Sequence, residues 1–600
     1  MKKARKGNLG LIKVRFKDLC ECYFSLENTQ KKLEMVDILA NTLSKSDGSE
    51  IGKIALLTLG KLYPDFVGIE LMLAEKMAIK ALALATGKSE KNILRFLEEI
   101  GDLGKTAHKI LDNKSQSTLL AFTNQKETEE YDVVDVWKIL DTISQTSGEG
   151  SADKKIRILS GLLSKVTPLE ARYISRLVAG NLRTGVAVQL LLEALSKAKT
   201  GTRENKLFLE RAYNRCSDLD YVSSVLYKEG LEAVKEIEVT VFSPIKVMLA
   251  QRVSNSEELL ERFNGKCSLE YKYDGLRVQI HKKENKVKLF SRSTENITKQ
   301  FPDVIDFINN AALENEFIIE GEIVAFDHEK EAILPFQYVS QRKRKHDIDQ
   351  KIREIPVRIF LFDVLYSNNT SRLDCSYLER RKNLQKIVRE TNNIKFSHQT
   401  IADNSDEIDT FLHQALQDNC EGIMGKSIGE DSVYQAGARG WNWVKYKAGY
   451  DAKLSDSFDL VILGAEHGKG KRAGKYGTFL LGCYDQIEGI YQTFTRIGTG
   501  FSDEDLAFFF QELKPLESEK PKEYQSDVES SIWFYPKIVI EVTGDEITRS
   551  QMHTCSRGLL ENDKDGLALR FPRFTGRTVH DKAPEQATTN DEIRTIYLKQ

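Results

Sequence analysis

Hydrophobic side chains recur at helical spacing through the first part of the chain. Two such groups are Leu56, Leu59 and Tyr63, and Ile93, Leu94, Leu97 and Ile100. The clearest helix start is at Thr167, where Pro168 suits the first turn and Glu170 completes a capping box. The pattern predicts an all-α domain over residues 1–235.

The pattern changes near residue 236, where short β-rich runs alternate with helical stretches. The β-rich runs are Lys286 to Phe290, Phe317 to Phe326 and Val357 to Val364, and the helical stretches are Tyr377 to Arg389 and Glu407 to Leu416. This mixture predicts an α+β domain over residues 236–450.

Alternating apolar and polar positions dominate after Asp451. The alternating segments are Phe458 to Gly464, Thr478 to Tyr484, Ile490 to Arg496 and Ile538 to Val542. Glycine-rich turns separate several of them, which predicts a small β-barrel over residues 451–600. The charged stretch from Glu512 to Asp527 is predicted to be a solvated loop or insertion.

Composition narrows the class of protein. The 600 residues are 41% hydrophobic and 29% charged, which is typical of a soluble multidomain protein. The net charge of -2 neither indicates nor excludes a nucleic-acid partner. We find no secretory signal and no apolar run of about 18 residues, so we expect a cytoplasmic protein without a membrane partner. The eight cysteines contain no CxxC pair, so we predict reduced thiols and no zinc site.

The strongest chemical signal is the motif Lys272-Tyr273-Asp274-Gly275-Leu276-Arg277. Its pattern KxDGxR would arise by chance in about 1% of chains of this length or fewer. A plain interpretation is a charged strand followed by an Asp-Gly turn. The alternative is a lysine nucleophile, because burial and nearby cations favour the neutral amine that can attack phosphorus. Arg277, Lys445 and Lys447 are the candidate cations.

The order of the motifs resembles that of the ATP-dependent DNA ligases, of the three-domain type shared by archaea and the eukaryotic replicative enzymes. The resemblance implies that Lys272 carries AMP. It implies that Glu270 lines the adenine pocket, Glu322 holds the ribose and Phe362 stacks on adenine. The C-terminal barrel would then be an OB-fold.

The same resemblance indicates which cations contact phosphate and which carboxylates bind the metal ion. It implies that Arg277, Arg292, Arg439, Lys445 and Lys447 contact the nucleotide or phosphate. Glu322 and Glu421 would hold Mg²⁺ from the ends of their strands, since carboxylates with water suit this ion.

Each residue also has an ordinary structural alternative. Phe362 could be a core residue and the two glutamates could be surface carboxylates, while Trp441 and Trp443 are expected to serve in packing. The basic stretch Gly468 to Tyr476 lacks the spacing of a phosphate-binding loop. We expect it to be a basic loop that contacts DNA.

The segment from Ser175 to Leu195 is similar to the DNA-binding domain of the same family. Gly180 and Gly185 bracket a predicted turn between two helices, and Arg183 lies within it. Backbone N–H groups at such turns bind phosphate without reading bases. The alternative is simple helix termination by glycine. Gly101 to Lys105 is a second candidate.

The C-terminal region also resembles the family, through Ala568 to Phe574 and Asp581 to Ala587. It departs from the family at Val579, where an arginine is usual two residues before the Asp-Lys pair. Arg577 or His580 could substitute for it. We therefore expect slower self-adenylation with sealing retained.

These observations predict an enzyme that uses ATP and Mg²⁺ to seal nicks in double-stranded DNA during replication, repair and recombination. We expect a monomer, with a sliding clamp as a candidate partner. Two alternatives stay open: an RNA ligase or mRNA-capping enzyme, and a non-catalytic scaffold that binds DNA ends. The choice among ATP, ADP and GTP also stays open.

Overall fold

The structure is a computed structural model of the full chain. It describes residues 13–71, 73–116, 129–180, 182–342, 348–447, 457–468, 472, 474–558, 564–579 and 582–599. The chain forms two compact units, one of Met1–Ala81 with Leu120–Ala448 and one of Leu82–Leu119 with Gly449–Gln600.

The N-terminal region is helical, as predicted. Its helices are α1 Phe16–Glu27, α2 Lys32–Leu43, α3 Ile51–Thr58, α4 Glu75–Thr86, α5 Glu90–Ile100, α6 Leu103–Gln116, α7 Val133–Gln145, α8 Ser151–Leu163, α9 Pro168–Val178, α10 Val188–Thr200, α11 Lys206–Cys216, α12 Leu219–Lys228 and α13 Leu231–Lys235. The capping box of α9 is confirmed, because Thr167 and Glu170 exchange side-chain and backbone hydrogen bonds. The buried faces of α1, α2, α9 and α10 pack together.

The central region contains two sheets with helices against them. Its elements are β1 Leu249–Arg252, α14 Ser256–Arg262, β2 Cys267–Lys272, β3 Leu276–Lys283, β4 Lys286–Ser291, α15 Pro302–Ala311, β5 Glu316–Asp327, β6 Ala332–Ile333, α16 Phe336–Gln341, α17 Ile348–Glu354, β7 Val357–Ser367, β8 Thr370–Ser371, α18 Tyr377–Ile387, β9 Ile394–Phe396, β10 Gln399–Ala402, α19 Ser405–Gln417, β11 Gly422–Lys426 and β12 Arg439–Lys447. The predicted α+β class is confirmed.

The two central sheets have different strand orders. Five strands follow the order β1-β12-β11-β2-β10, and seven strands are built on β4-β3-β5-β7-β8, with β6 on β5 and β9 on β7. One face of β3 contributes Leu276, Val278 and Ile280 to a hydrophobic core. The KxDGxR motif begins at Lys272, the last residue of β2, and ends at Arg277, the second residue of β3. Because β2 and β3 belong to different sheets, the motif joins the two sheets.

The C-terminal region is mainly β. Its elements are β13 Phe458–His467, β14 Tyr476–Asp485, β15 Ile490–Ile497, α20 Asp503–Leu513, β16 Glu517–Ser518, β17 Tyr524–Gln525, β18 Ile532–Phe534, β19 Val539–Thr543, β20 Glu546–Ser550, β21 Gly566–Arg570, β22 Arg573–Val579 and α21 Asn590–Lys599. β13 pairs with β14 along its length, with β18 near one end and with β19 near the other. The OB-fold designation stays a prediction.

The charged stretch from Glu512 to Asp527 corrects a prediction. It is not simply a solvated loop, because it includes the end of α20 and the short strands β16 and β17. Tyr524 is buried there and donates a hydrogen bond from its hydroxyl to the carbonyl of Phe534, at 2.8 Å. Within the described part of the chain, none of the helices is both long and apolar enough to cross a membrane.

Candidate nucleotide and DNA sites

Lys272 is the last residue of β2 and lies beside β11. Its carbonyl accepts a hydrogen bond from the backbone N–H of Glu421, at 2.9 Å. The Lys272 ammonium donates to the Glu421 carboxylate, and Lys447 Nζ lies 2.6 Å from an oxygen of the same carboxylate. Burial by itself would raise the pKa of Glu421, but the charges of Lys272 and Lys447 outweigh it and lower that pKa to about 2.

The turn after Lys272 is tightly packed. A Cβ on Gly275 would lie 2.5 Å from the carbonyl oxygen of Ile323, so the close approach of β5 requires glycine there. Asp274 accepts a hydrogen bond from the N–H of Phe336 at the start of α16, at 3.1 Å. Burial raises the pKa of Asp274, and the neighbouring Glu421 raises it further. The turn is therefore held closely against β5 and the start of α16.

Glu322 lies within β5, opposite Arg277 of β3, and not at the end of its strand as predicted. Its side chain is half-buried, and this burial raises the pKa of the carboxyl to about 8. Lys272 and Arg277 act in the opposite direction without offsetting the burial. The burial of Glu322 therefore favours its protonated carboxyl, and a bound cation would favour the carboxylate.

Arg277 has a different environment from the one expected. Its Nη2 donates to Glu320 at 2.7 Å and its Nη1 to the carbonyl of Met248 at 2.8 Å. Arg277 is one of the cations predicted to favour the neutral amine of Lys272, but its positive charge is largely balanced by Glu320. The Arg277 guanidinium lies 5.5 Å from the centre of the Phe362 ring.

Phe362 is half-buried, and its ring packs edge-on against Trp443 with 6.1 Å between the ring centroids. The predicted packing role of Trp443 is confirmed by its burial. Trp441 differs, because it is 44% exposed and its ring is covered by the Arg262 guanidinium at 3.7 Å. Trp441 therefore packs against a surface arginine rather than in the core.

Glu270 is buried among cations and hydroxyls. Lys426 Nζ donates to Glu270 at 2.7 Å, Arg381 lies 3.5 Å away, and the Tyr377 hydroxyl also donates to this carboxylate. Sequence reasoning did not assign Lys426 a role. Its proximity to Glu270 depends on the antiparallel pairing of β11 with β2, which no local pattern indicates.

The remaining predicted cations gather around Lys445. Burial lowers the pKa of Lys445, and the positive charges of Lys447, Lys272, Arg439 and Arg292 lower it further. Arg292 and Arg439 are exposed, while Lys445 and Lys447 are half-buried. The mutual repulsion of these side chains marks a place where an anion would be stabilised.

The predicted turn between α9 and α10 is confirmed at its two glycines. Gly180 and Gly185 have φ values of 71° and 73°, and Arg183 has a φ of 59°. Arg176 ties the turn to α9, because its Nη1 donates to the carbonyl of Leu182 at 3.3 Å as well as to Glu27. Asn181 lies outside the described residues.

The second candidate turn is also present, because Gly101 ends α5 with a φ of 67° and α6 begins at Leu103. In the C-terminal unit, the basic stretch Gly468 to Tyr476 is described only at residues 468, 472 and 474–476, and its contact with DNA stays a prediction. Arg472 is described, and its Nη1 donates to the carbonyl of Gly498 at 2.9 Å.

Val579 is buried at the end of β22 and packs with Val461, Leu463 and Val539. Arg577 is exposed and lies 3.8 Å from Glu541. His580 and Asp581 lie outside the described residues, and Lys582 pairs with Asp459 at 2.6 Å. A Val579→Arg change would therefore bury a charge in a hydrophobic cluster, and it cannot test the missing arginine cleanly.

The fold and the lysine–carboxylate–cation cluster define a ligase core of the nucleotidyltransferase type. Three family models match the chain. They are "DNA ligase N terminus" over residues 15–196, "ATP dependent DNA ligase domain" over residues 247–447 and "ATP dependent DNA ligase C terminal region" over residues 472–582.

Relatives extend this similarity over nearly the whole length. The chain is 41% identical to a DNA ligase of Saccharolobus solfataricus over 589 residues, which cover 98% of both chains. It is 42% identical to DNA ligase 2 of Thermofilum pendens over 585 residues, which cover 97% of both chains. The chain belongs to the ATP-dependent DNA ligase family, whose members use ATP to seal nicks in duplex DNA.

Solved structures support the fold. The chain resembles "Pmar-Lig_PreS3" with a TM-score of 0.54 and 16% identity, covering 93% of this chain and 98% of the other. A second structure, "Pmar-Lig_Pre.", gives a TM-score of 0.53 and 15% identity with the same coverage.

Proposed function

We propose that Lys272 is the nucleophile that receives AMP during ligation. The observation that carries this proposal is the position of Lys272 at a strand end, paired with Glu421 inside a group of cations. The Lys272 amine would attack the α-phosphorus of ATP, form a phosphoramidate and release pyrophosphate. AMP would then pass to the 5′-phosphate of the nick, and the 3′-hydroxyl would displace AMP to close the strand.

The nucleophile must lose a proton before it can attack. In this structure the Lys272 side chain is engaged by Glu421, which accepts a hydrogen bond from it. Reaction therefore requires Glu421 to release Lys272. The proposed magnesium ligands are Glu421 and Glu322, and binding a cation there would draw Glu421 away from the amine.

The chemistry of the available donors suits Mg²⁺. Among the described residues, no three metal-ligating side chains gather at one point. Magnesium commonly uses one or two carboxylates and completes its shell with water and substrate phosphate. When bound, Mg²⁺ would neutralise charge that develops on the phosphate oxygens.

The nucleotide would occupy the space between Phe362 and the cations. We propose that Phe362 stacks on adenine, Glu270 lines the base pocket and Glu322 also holds the ribose. Arg277 would contact the nucleotide, and its buried Nε has no hydrogen-bond partner within the described part of the chain. Arg292, Arg439, Lys445 and Lys447 would contact phosphate.

The DNA would be bound mainly through its backbone. We propose that Gly180, Arg183 and Gly185 present the α9–α10 turn to phosphate, as expected for an enzyme that must act at nicks of any sequence. We further propose a monomer that acts in replication, repair and recombination, with a sliding clamp as partner. The proposed domains are residues 1–235, 236–450 and 451–600, with the last folded as an OB-fold.

The adenylation step is proposed to be slow. The buried Val579 supports this, because it cannot supply the charge of the family's usual arginine. Arg577 is the exposed candidate for a substitute. We propose that the sealing of a nick that already carries AMP is retained, because that step does not require Lys272 to be adenylated.

Covalent labelling tests the central proposal. Wild type, Lys272→Ala and Lys266→Ala are incubated with Mg²⁺ and ATP labelled at the α-phosphate; Lys266 is an exposed lysine outside the site. Wild type and Lys266→Ala should retain label after denaturation, whereas Lys272→Ala should not. Labelling of Lys272→Ala at the wild-type level would contradict the proposal. Parallel reactions with labelled ADP and GTP would define nucleotide choice.

A further inference from the structure

The segment Val239–Met248, here called the strap, connects α13 to β1. Four of its apolar side chains are buried against β5, β7 and β12, together with Ile318, Leu365 and Trp443. These four are Val239, Val241, Ile245 and Met248. The strap therefore covers one face of the sheet that carries the nucleotide-site residues.

Side chains of β3 bind the strap backbone. Arg277, Gln279 and His281 alternate with the core residues of this strand and face the strap. His281 Nδ1 accepts from the N–H of Phe242 at 2.9 Å, and its Nε2 lies 2.8 Å from Gln279 Oε1. Since Nδ1 is an acceptor, the ring proton is on Nε2. Burial lowers the pKa of His281 to about 3, which keeps the ring neutral.

Gln279 continues this network toward the site. Its Oε1 accepts from the N–H of Ile245 at 2.8 Å, and its Nε2 donates to the Ile245 carbonyl at 3.2 Å. The same Nε2 lies 3.4 Å from Glu320 Oε1. Glu320 is fully buried and pairs with Arg277, so its position depends on these neighbours.

Tyr434 completes the network from the other side. Its hydroxyl accepts from the N–H of Met248 at 2.9 Å and donates to Glu320 Oε2 at 2.8 Å. Arg277 Nη2 lies 3.3 Å from this hydroxyl, and Arg277 Nη1 donates to the Met248 carbonyl. One hydroxyl group therefore contacts the strap, Glu320 and Arg277.

We propose that Tyr434 is a positioning residue that uses the strap and Glu320 to hold Arg277 in its ATP-binding orientation. The two Nη atoms are engaged by Met248, Glu320 and Tyr434, while the buried Nε has no hydrogen-bond partner among the described residues. This inference rests on the proposed function only in that Arg277 binds ATP. A fixed guanidinium binds its ligand without the cost of ordering a mobile side chain.

The test compares Tyr434→Phe with a matched control, Tyr366→Phe. Tyr366 lies in β7 of the same region, and its hydroxyl has only long contacts of 3.4 and 3.5 Å. Formation of lysyl-AMP is measured as a function of ATP concentration. We expect KM for ATP to rise about tenfold in Tyr434→Phe while the maximal rate changes by less than about threefold. Tyr366→Phe should match wild type.

A double-mutant cycle with Arg277→Lys separates positioning from general destabilisation. If Tyr434 acts through Arg277, adding Tyr434→Phe to Arg277→Lys should raise KM by less than about twofold further. Full multiplication of the two effects would overturn the inference. So would an unchanged KM in Tyr434→Phe, or an equal rise in the control.

A second variant, Gln279→Met, tests the inference independently in case Tyr434→Phe fails to fold. Gln279→Met removes the hydrogen bonds to the strap and should also raise KM for ATP more than it lowers the maximal rate. Thermal unfolding without ATP shows whether each variant is folded. If Lys272→Ala labels normally, the proposed function fails; if only the Tyr434 and Gln279 effects are absent, the strap inference alone fails.

Discussion

His281 shows how burial converts one residue into a pH-dependent contribution to stability. An unfolded histidine titrates near pH 6.5, whereas the buried ring in the native protein has a pKa of about 3. Between these values the unfolded chain binds a proton that the native protein does not bind. The contribution of His281 to the free energy of unfolding therefore falls as pH decreases from about 6.5 toward 3.

We predict that His281→Gln removes this contribution. Relative to the variant, wild type should lose about 1.4 kcal/mol of stability per pH unit between roughly pH 6 and 4. Urea denaturation at several pH values would measure the difference, with His413→Gln at an exposed helical position as control. Parallel pH profiles for wild type and His281→Gln would contradict the prediction.

At the scale of elements, the α9–α10 connection depends on glycine. Gly185 has a φ of 73°, a conformation that alanine adopts at a cost of about 1 kcal/mol or more. We predict that Gly185→Ala lowers thermal stability and weakens binding to a nicked duplex. Fluorescence anisotropy would measure the affinity and differential scanning calorimetry the stability.

Gly161 provides the matched control. It lies inside α8, and a Cβ there would meet no atom within 4 Å. Gly161→Ala should stabilise the protein by about 0.5–1 kcal/mol and leave DNA affinity unchanged. If Gly185→Ala behaved like Gly161→Ala in both measurements, the turn would have no special role.

Element positions were largely predictable because their signals are local. The capping box needs only Thr167 and Glu170, three residues apart, and each of the apolar runs in β5 and β7 is continuous in the sequence. The two-residue strands β16 and β17 are too short to show a period, so the stretch around them was predicted to be a loop.

The motif residues of the proposed site could be named from the sequence, but the side-chain contacts around them could not. Lys426 reaches Glu270 only because β11 pairs with β2, and these strands are separated by about 150 residues in sequence. Tyr434 and Glu320 meet for a similar reason, through a loop and a strand far apart in the chain. The role of Arg277 stays a prediction, and its pairing with Glu320 could not be identified from the sequence.

At the scale of the whole molecule, the net charge is nearly zero although the proposed ligand is a polyanion. Lys+Arg is 87 and Asp+Glu is 89. We therefore expect affinity for DNA to come from local cations, such as the group around Lys445 and Arg183 in the α9–α10 turn. Phosphate contacts of this kind release counterions from DNA, so they weaken as salt increases.

We predict a steep salt dependence without sequence preference. If about five phosphates are contacted, affinity for a nicked duplex should fall roughly 500-fold between about 50 and 200 mM NaCl. Anisotropy titrations with two nicked duplexes of unrelated sequence should give overlapping curves. A shallow dependence, with a log–log slope weaker than about −2, would show that phosphate contacts contribute little. A large difference between the duplexes would instead show base readout, which the glycine turn and exposed cations do not provide.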